Sequence, residues 1–215
     1  MNGKSTSSSS STGRDWTRIG LQLVVATMAY NAVEAGIAIW SGVAAGSIAL
    51  IGFGLDSIIE FVAAAALLWR LRVERRGGLS EEIERAETLV HRIVGATFLV
   101  LAAYVTLQAG WILWQRAAPE ESVVGIVLAA VSLVVMPLVA WGKLHAARRI
   151  GSAALRAEAK ETLACSYLSF TLLLGLVANS AWGWWWADPV AALLMVPWLV
   201  KEGREGLRGD GCCDD

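Results

Sequence analysis

Residues 47–69 read SIALIGFGLDSIIEFVAAAALLW, and the reading of this stretch decides the fold. It is long enough to cross a bilayer, whose hydrocarbon core of about 30 Å takes roughly 20 apolar residues of helix. Just two of its residues ionise, Asp56 and Glu60. Five further apolar stretches flank it, at 16–40, 86–114, 122–141, 152–178 and 184–200. The composition fits this pattern, with 56% hydrophobic and 17% charged residues, against about 45–50% and about 25% in a soluble domain. The expectation is an all-α integral membrane protein of six transmembrane helices.

Tryptophan and the basic residues give the arrangement across the membrane. There are 11 Trp against 3 Tyr and 4 Phe. Trp16, Trp40, Trp69, Trp111, Trp114, Trp141 and the cluster from Trp182 to Trp186 fall near segment ends, as an aromatic belt requires. Of the 18 Lys and Arg residues, all but Arg116 lie on one side. They comprise Lys4, Arg14 and Arg18 before the first segment, six Arg from Arg70 to Arg92, then Lys143, Arg148, Arg149, Arg156 and Lys160, and lastly Lys201, Arg204 and Arg208. A basic excess marks the cytosolic side, which puts both termini inside.

Residues 1–15, rich in serine, read as a disordered cytosolic arm with no apolar core of a signal peptide. Residues 16–208 form the transmembrane domain and 209–215 a short Cys/Asp tail. A net charge of −1 gives no basic field for nucleic acid. Three cysteines, two of them adjacent, make no disulfide framework.

Ionisable residues at lipid depth cost roughly 2.5–3.5 kcal/mol each and so need a reason. Asp56 and Glu60 are four apart, on one helical face. Glu161 and Cys165 repeat that spacing in the fifth segment, with Glu158 one turn earlier, and Glu34 follows Asn31 in the first. The two pairs are in step: SIAL opens at Ser47 and SAAL at Ser152, each followed nine and thirteen residues later by its pair. Two helices therefore present equivalent halves of one site, as transporters built from repeated elements do. Four such anionic groups need either a divalent cation or protons, and a site alternating between the two exchanges metal for protons. Four ligands from two helices suit tetrahedral ions such as Zn²⁺.

Each of these residues also has a plainer reading. Glu34 can be a carboxyl hydrogen-bonded to a neighbouring helix, and Glu158, near the cytosolic end, an interfacial residue. His91 and His145 read as structural, and Pro137 and Pro197 mark helix kinks. Cys212 and Cys213, with Asp210, Asp214 and Asp215, form a weak soft-metal hook.

The stretches NAVEAGIAIWSGVAAGSIALIGFGLDSIIE, SAALRAEAKETLACSYLS and WWWADPVAALLMVPWLVKEGREGL, with Asp188-Pro189 as a third marker, resemble the cation diffusion facilitator (cation efflux) family from about Trp16 to Arg208. The resemblance implies a transporter that carries Zn²⁺, or Mn²⁺, Fe²⁺, Co²⁺ or Cd²⁺, out of the cytosol against protons, and a homodimer. It also implies the ligand set Asp56, Glu60, Glu161 and Cys165. Asn31, Glu34 and Glu158 would lie around that set or carry protons.

Three features depart from the family pattern. Cys165 stands where Asp is usual, which favours thiophilic ions. Glu34 stands where many members look basic. The sequence stops fifteen residues after Val200, so the cytosolic metal-sensing domain that usually follows is expected to be absent, and dimerisation to run through the membrane helices.

No prosthetic group and no enzymatic activity are expected: no zinc-protease HExxH pattern occurs, and four protein ligands leave no open metal position for an activated water. The alternative of a different class, which those two points disfavour, is a membrane-embedded metalloenzyme; a third is a metal-binding receptor or accessory subunit on the same fold. The absence of targeting segments points to a bacterial inner membrane.

Overall fold

The computed structural model describes the backbone of residues 9–75, 80–116, 120 and 122–208. It describes side chains from Trp16 to Arg208, except those of 70–87, 89–91, 93–94, 117–119, 121, 153–154, 157 and 164. The described residues form six helices: α1 (Ser9–Ala45), α2 (Ile48–Arg75), α3 (Ser80–Gln115), α4 (Val123–Ile150), α5 (Ala153–Trp182) and α6 (Ala187–Arg208). A helix satisfies its backbone hydrogen bonds within itself, which is what apolar surroundings demand.

Several boundaries differ from the sequence reading. The backbone of 9–15 is already helical, where the disordered arm was expected to continue. A formed helix at Trp16 explains this, because propagation past a nucleus costs far less than nucleation. Residues 1–8, Cys212, Cys213 and the rest of the tail lie outside the described residues, as does the side chain of His91.

Among the described residues, five helices are long and apolar enough to cross a membrane by length and composition, and α6 is not among them. Its apolar part runs only from Ala187 to Val200, about 20 Å of helix, before Lys201, Glu202, Arg204, Glu205 and Arg208. The six expected helices are present, and α6, the shortest, packs most extensively along α3. Gly95 of α3 makes that approach possible: a Cβ there would come within 2.8 Å of the Gly203 carbonyl oxygen.

Two connections are built alike. Gly46 and Gly151 take φ of +65° and +68°, a conformation that glycine adopts without steric cost. Ser47 and Ser152 follow and cap α2 and α5, accepting from the amides of Leu50 and Leu155 at 3.2 Å each. The SIAL/SAAL correspondence is thus a repeated glycine-turn-and-cap that starts the two central helices.

The helices form a closed circuit, α1–α2–α3–α6–α5–α4 and back to α1, and α2 also touches α5 and α6 across it. Among the five spans, α2 and α5 are the most buried, with 61% and 47% of an apolar 18-residue stretch inside the bundle, against 28–33% for α1, α3 and α4. Phe53, Leu50, Met136, Leu168, Leu172 and Met195 fill the centre. Val33, Val100, Leu107, Leu138 and Trp141 point outward and are largely exposed, with Trp40, Trp114 and Trp182 near helix ends. Exposed apolar surface on this scale suits lipid contact.

Candidate metal-transport site

α2 and α5 enter the bundle from opposite ends. Asp56 and Glu161 each stand nine residues past a serine cap, about 13 Å along the helix. Both therefore come to mid-bundle, and there Asp56, Glu60 and Glu161 line one small cavity of about 10 Å³. Ile59, Ala63, Phe98 and Trp198 complete its wall, and the rings of Phe98 and Trp198 meet edge to face at 5.6 Å.

Cys165 is fully buried in α5, with its thiol turned toward Glu60. Glu60 Oε2 is buried and has no hydrogen-bond partner. As they stand, no three His, Cys, Asp or Glu side chains among the described residues converge closely enough to share a metal ion.

The other Glu60 oxygen is held. Thr162 donates to Glu60 Oε1 at 3.0 Å, and Lys143 Nζ donates to Thr162 Oγ1 at 2.9 Å and to Glu158 Oε1 at 2.7 Å. Lys143 is wholly buried and Glu158 almost so, at 0% and 5% exposure. One sequence expectation is corrected here. Glu158 is not interfacial, because it and the buried Lys143 neutralise each other inside the bundle.

Glu34 is a polar knot joining three helices. Ser57 of α2 donates to it at 2.9 Å, Ser132 of α4 also bonds it, and Tyr30 lies 2.7 Å from Ser132 Oγ. A lateral groove of about 430 Å³ between α1 and α4 reaches this knot. Asn31, one turn before Glu34, is wholly buried, and neither of its side-chain polar atoms has a partner.

His145 is packed between Trp16 and Trp141, with ring centroids 5.0 and 6.0 Å away, as a structural residue would be. Pro137 and Pro197 lie inside α4 and α6.

Asp188, read from sequence as a family marker, has a structural task. Its carboxylate caps the start of α2, accepting from Ser47 Oγ and from the amides of Ile48 at 3.0 Å and Ala49 at 3.5 Å. A carboxylate at that position satisfies free amides and the helix dipole together. The same contact fixes α6 to α2.

Glu202, past the apolar part of α6 and one turn after Trp198, is half-buried near the cavity and acts electrostatically on Asp56 and Glu161. Burial and the neighbouring Glu205 push its carboxyl above the usual range. In the sequence it is inconspicuous, because it sits in the charged run from Lys201 to Arg208.

The model of the cation efflux transmembrane domain matches residues 24–208, which includes every residue of the cavity and of the Lys143 network. The chain belongs to the cation efflux family. It is an integral membrane protein of a transporter family. An uncharacterized transporter of Synechocystis sp. is 26% identical over 151 residues, covering 69% of this chain and 49% of that protein. The chain thus spans about half the length of that relative.

Proposed function

We propose that this cation efflux protein exports a divalent metal ion of the zinc class from the cytosol in exchange for protons, with Asp56, Glu60, Glu161 and Cys165 as its ligands. The observation that carries the reading is the shared cavity: three carboxylate residues of α2 and α5 line it at mid-bundle, and Glu60 Oε2 is buried and unpartnered. A buried carboxylate oxygen without a donor is expensive, and a cation is the partner that suits it.

Glu60 and Glu161 are long, flexible side chains, so their convergence on an ion asks for rotamer changes of the kind binding commonly brings. The thiol of Cys165 favours Zn²⁺ or Cd²⁺ over harder ions. Cargo ligands must lose protons to bind, which supplies the exchange.

The basic residues at the ends of α2, α4 and α6 support cytosolic termini, and the outward apolar faces support pairing of two copies through the membrane helices in a bacterial inner membrane. The test is binding and uptake by purified protein of Zn²⁺, Cd²⁺, Co²⁺, Fe²⁺ and Mn²⁺. Stoichiometric binding with uptake into proteoliposomes, both lost in Asp56→Ala, is the expected result. Binding without uptake would make the protein a receptor or accessory subunit; binding unaffected by Asp56→Ala would place the site elsewhere.

A further inference from the structure

Lys143 lies seven residues before the end of α4, roughly 10 Å of helix from Ile150. A lysine near a helix end ordinarily extends its stem toward the polar boundary. This one turns inward and is wholly buried. Glu158 neutralises its charge. A buried ammonium has three donors to satisfy, and the second of them is spent on Thr162.

Thr162 has a single hydroxyl proton. Lys143 Nζ occupies an acceptor site of Thr162 Oγ1 at 2.9 Å, so the hydroxyl must direct its own proton elsewhere. Two acceptors are in reach, Glu60 Oε1 at 3.0 Å and the Glu158 backbone carbonyl at 3.1 Å. Of the two, a carboxylate is the stronger acceptor, and donation to it makes a path from Lys143 through Thr162 to Glu60, from α4 through α5 to α2. It ends on one Glu60 oxygen and leaves the other, Oε2, buried without a hydrogen-bond partner, on a residue that lines the cavity.

We propose that Lys143 is a positioning residue for the cargo site: it fixes Thr162, which holds Glu60 Oε1 so that Oε2 is presented to the metal. The proposal rests on the reading of Glu60 as a ligand. Lys143 does not touch the ion; it orders a ligand through one intermediate. Outer contacts of this kind typically change metal affinity without supplying a bond to the ion.

The experiment measures Zn²⁺ affinity and metal-free thermal unfolding of the full chain in lipid nanodiscs. The variants are Thr162→Val, Thr162→Ser, the double variant Lys143→Met/Glu158→Gln, and Asp56→Ala. Thr162→Val is expected to weaken Zn²⁺ binding by about 10–100-fold, and Thr162→Ser, which keeps the hydroxyl, to restore it. The double variant removes the ion pair without stranding a charge and is expected to weaken binding by a similar factor. Adding Thr162→Val to it should bring little further loss, since both act on one path.

Wild-type affinity in a folded double variant, with binding abolished in Asp56→Ala, would overturn the proposal and leave Lys143–Glu158 as a structural bolt. Equal binding by wild type and Asp56→Ala, or no binding by wild type, would overturn the site reading and the proposal with it.

Discussion

Thr162 on α5 donates its hydroxyl to Glu60 on α2 across 3.0 Å. The two helices that carry the candidate ligands are thus joined by a direct polar contact at the level of the site. Glu60 is constrained on one oxygen, while Asp56 and Glu161 reach the same cavity from either side. The arrangement leads to the following expectations.

Lys143→Met alone leaves Glu158 buried without its counter-charge. Removing one partner of a buried pair costs about 3–5 kcal/mol. Chemical or thermal unfolding in lipid should show that loss for Lys143→Met and for Glu158→Gln separately, and most of it should be recovered in the double variant. Additive losses would mean that the pair does not neutralise itself as described.

Cys165→Asp replaces the soft donor with a hard one at a buried position. Competition between Cd²⁺ and Mn²⁺ should then move toward Mn²⁺, by about tenfold or more if the thiolate binds the ion directly. An unchanged preference would remove Cys165 from the ligand set.

Asp188→Ala deprives α2 of its cap and leaves the amides of Ile48 and Ala49 buried without a partner. Loss of a capping side chain costs about 0.5–2 kcal/mol, and burial puts this one at the upper end. The unfolding temperature should fall. Metal affinity of the protein that remains folded should hold, because Asp188 lies about two turns or more of α2 from Asp56.

Gly151→Val introduces a branched side chain at φ +68°, where nothing lies within 4 Å of a new Cβ. The cost is backbone strain alone, about 1–2 kcal/mol, and unfolding measurements should return a value of that size. A much larger loss would point to a crowded turn.

The parts of the fold legible in the sequence are those with local causes. The repeated Gly-Ser start before IAL and AAL marks two glycine turns and two serine caps, and equal offsets then carry Asp56, Glu60, Glu161 and Cys165 to the middle. The short span of α6 was less plain, because Trp184, Trp185 and Trp186 extend its apolar appearance beyond the helix that forms.

The Lys143 network was not read, since its parts lie on separate helices and Lys143 sits close to Arg148 and Arg149. A signal was nevertheless present. Ala129, Ser132, Met136, Ala140 and Lys143 are spaced by three and four, and all are buried on one face of α4. A lysine in register with that small-residue stripe had to point inward and find an acid.

The most direct test of the central claim follows both ions in the same proteoliposomes, Zn²⁺ with one dye and protons with another, for wild type and Asp56→Ala. Zn²⁺ entering as protons leave, with both fluxes abolished by Asp56→Ala and Zn²⁺ binding weakening as pH falls, is the predicted result. Zn²⁺ flux that persists in Asp56→Ala, or that proceeds without proton movement, would contradict it.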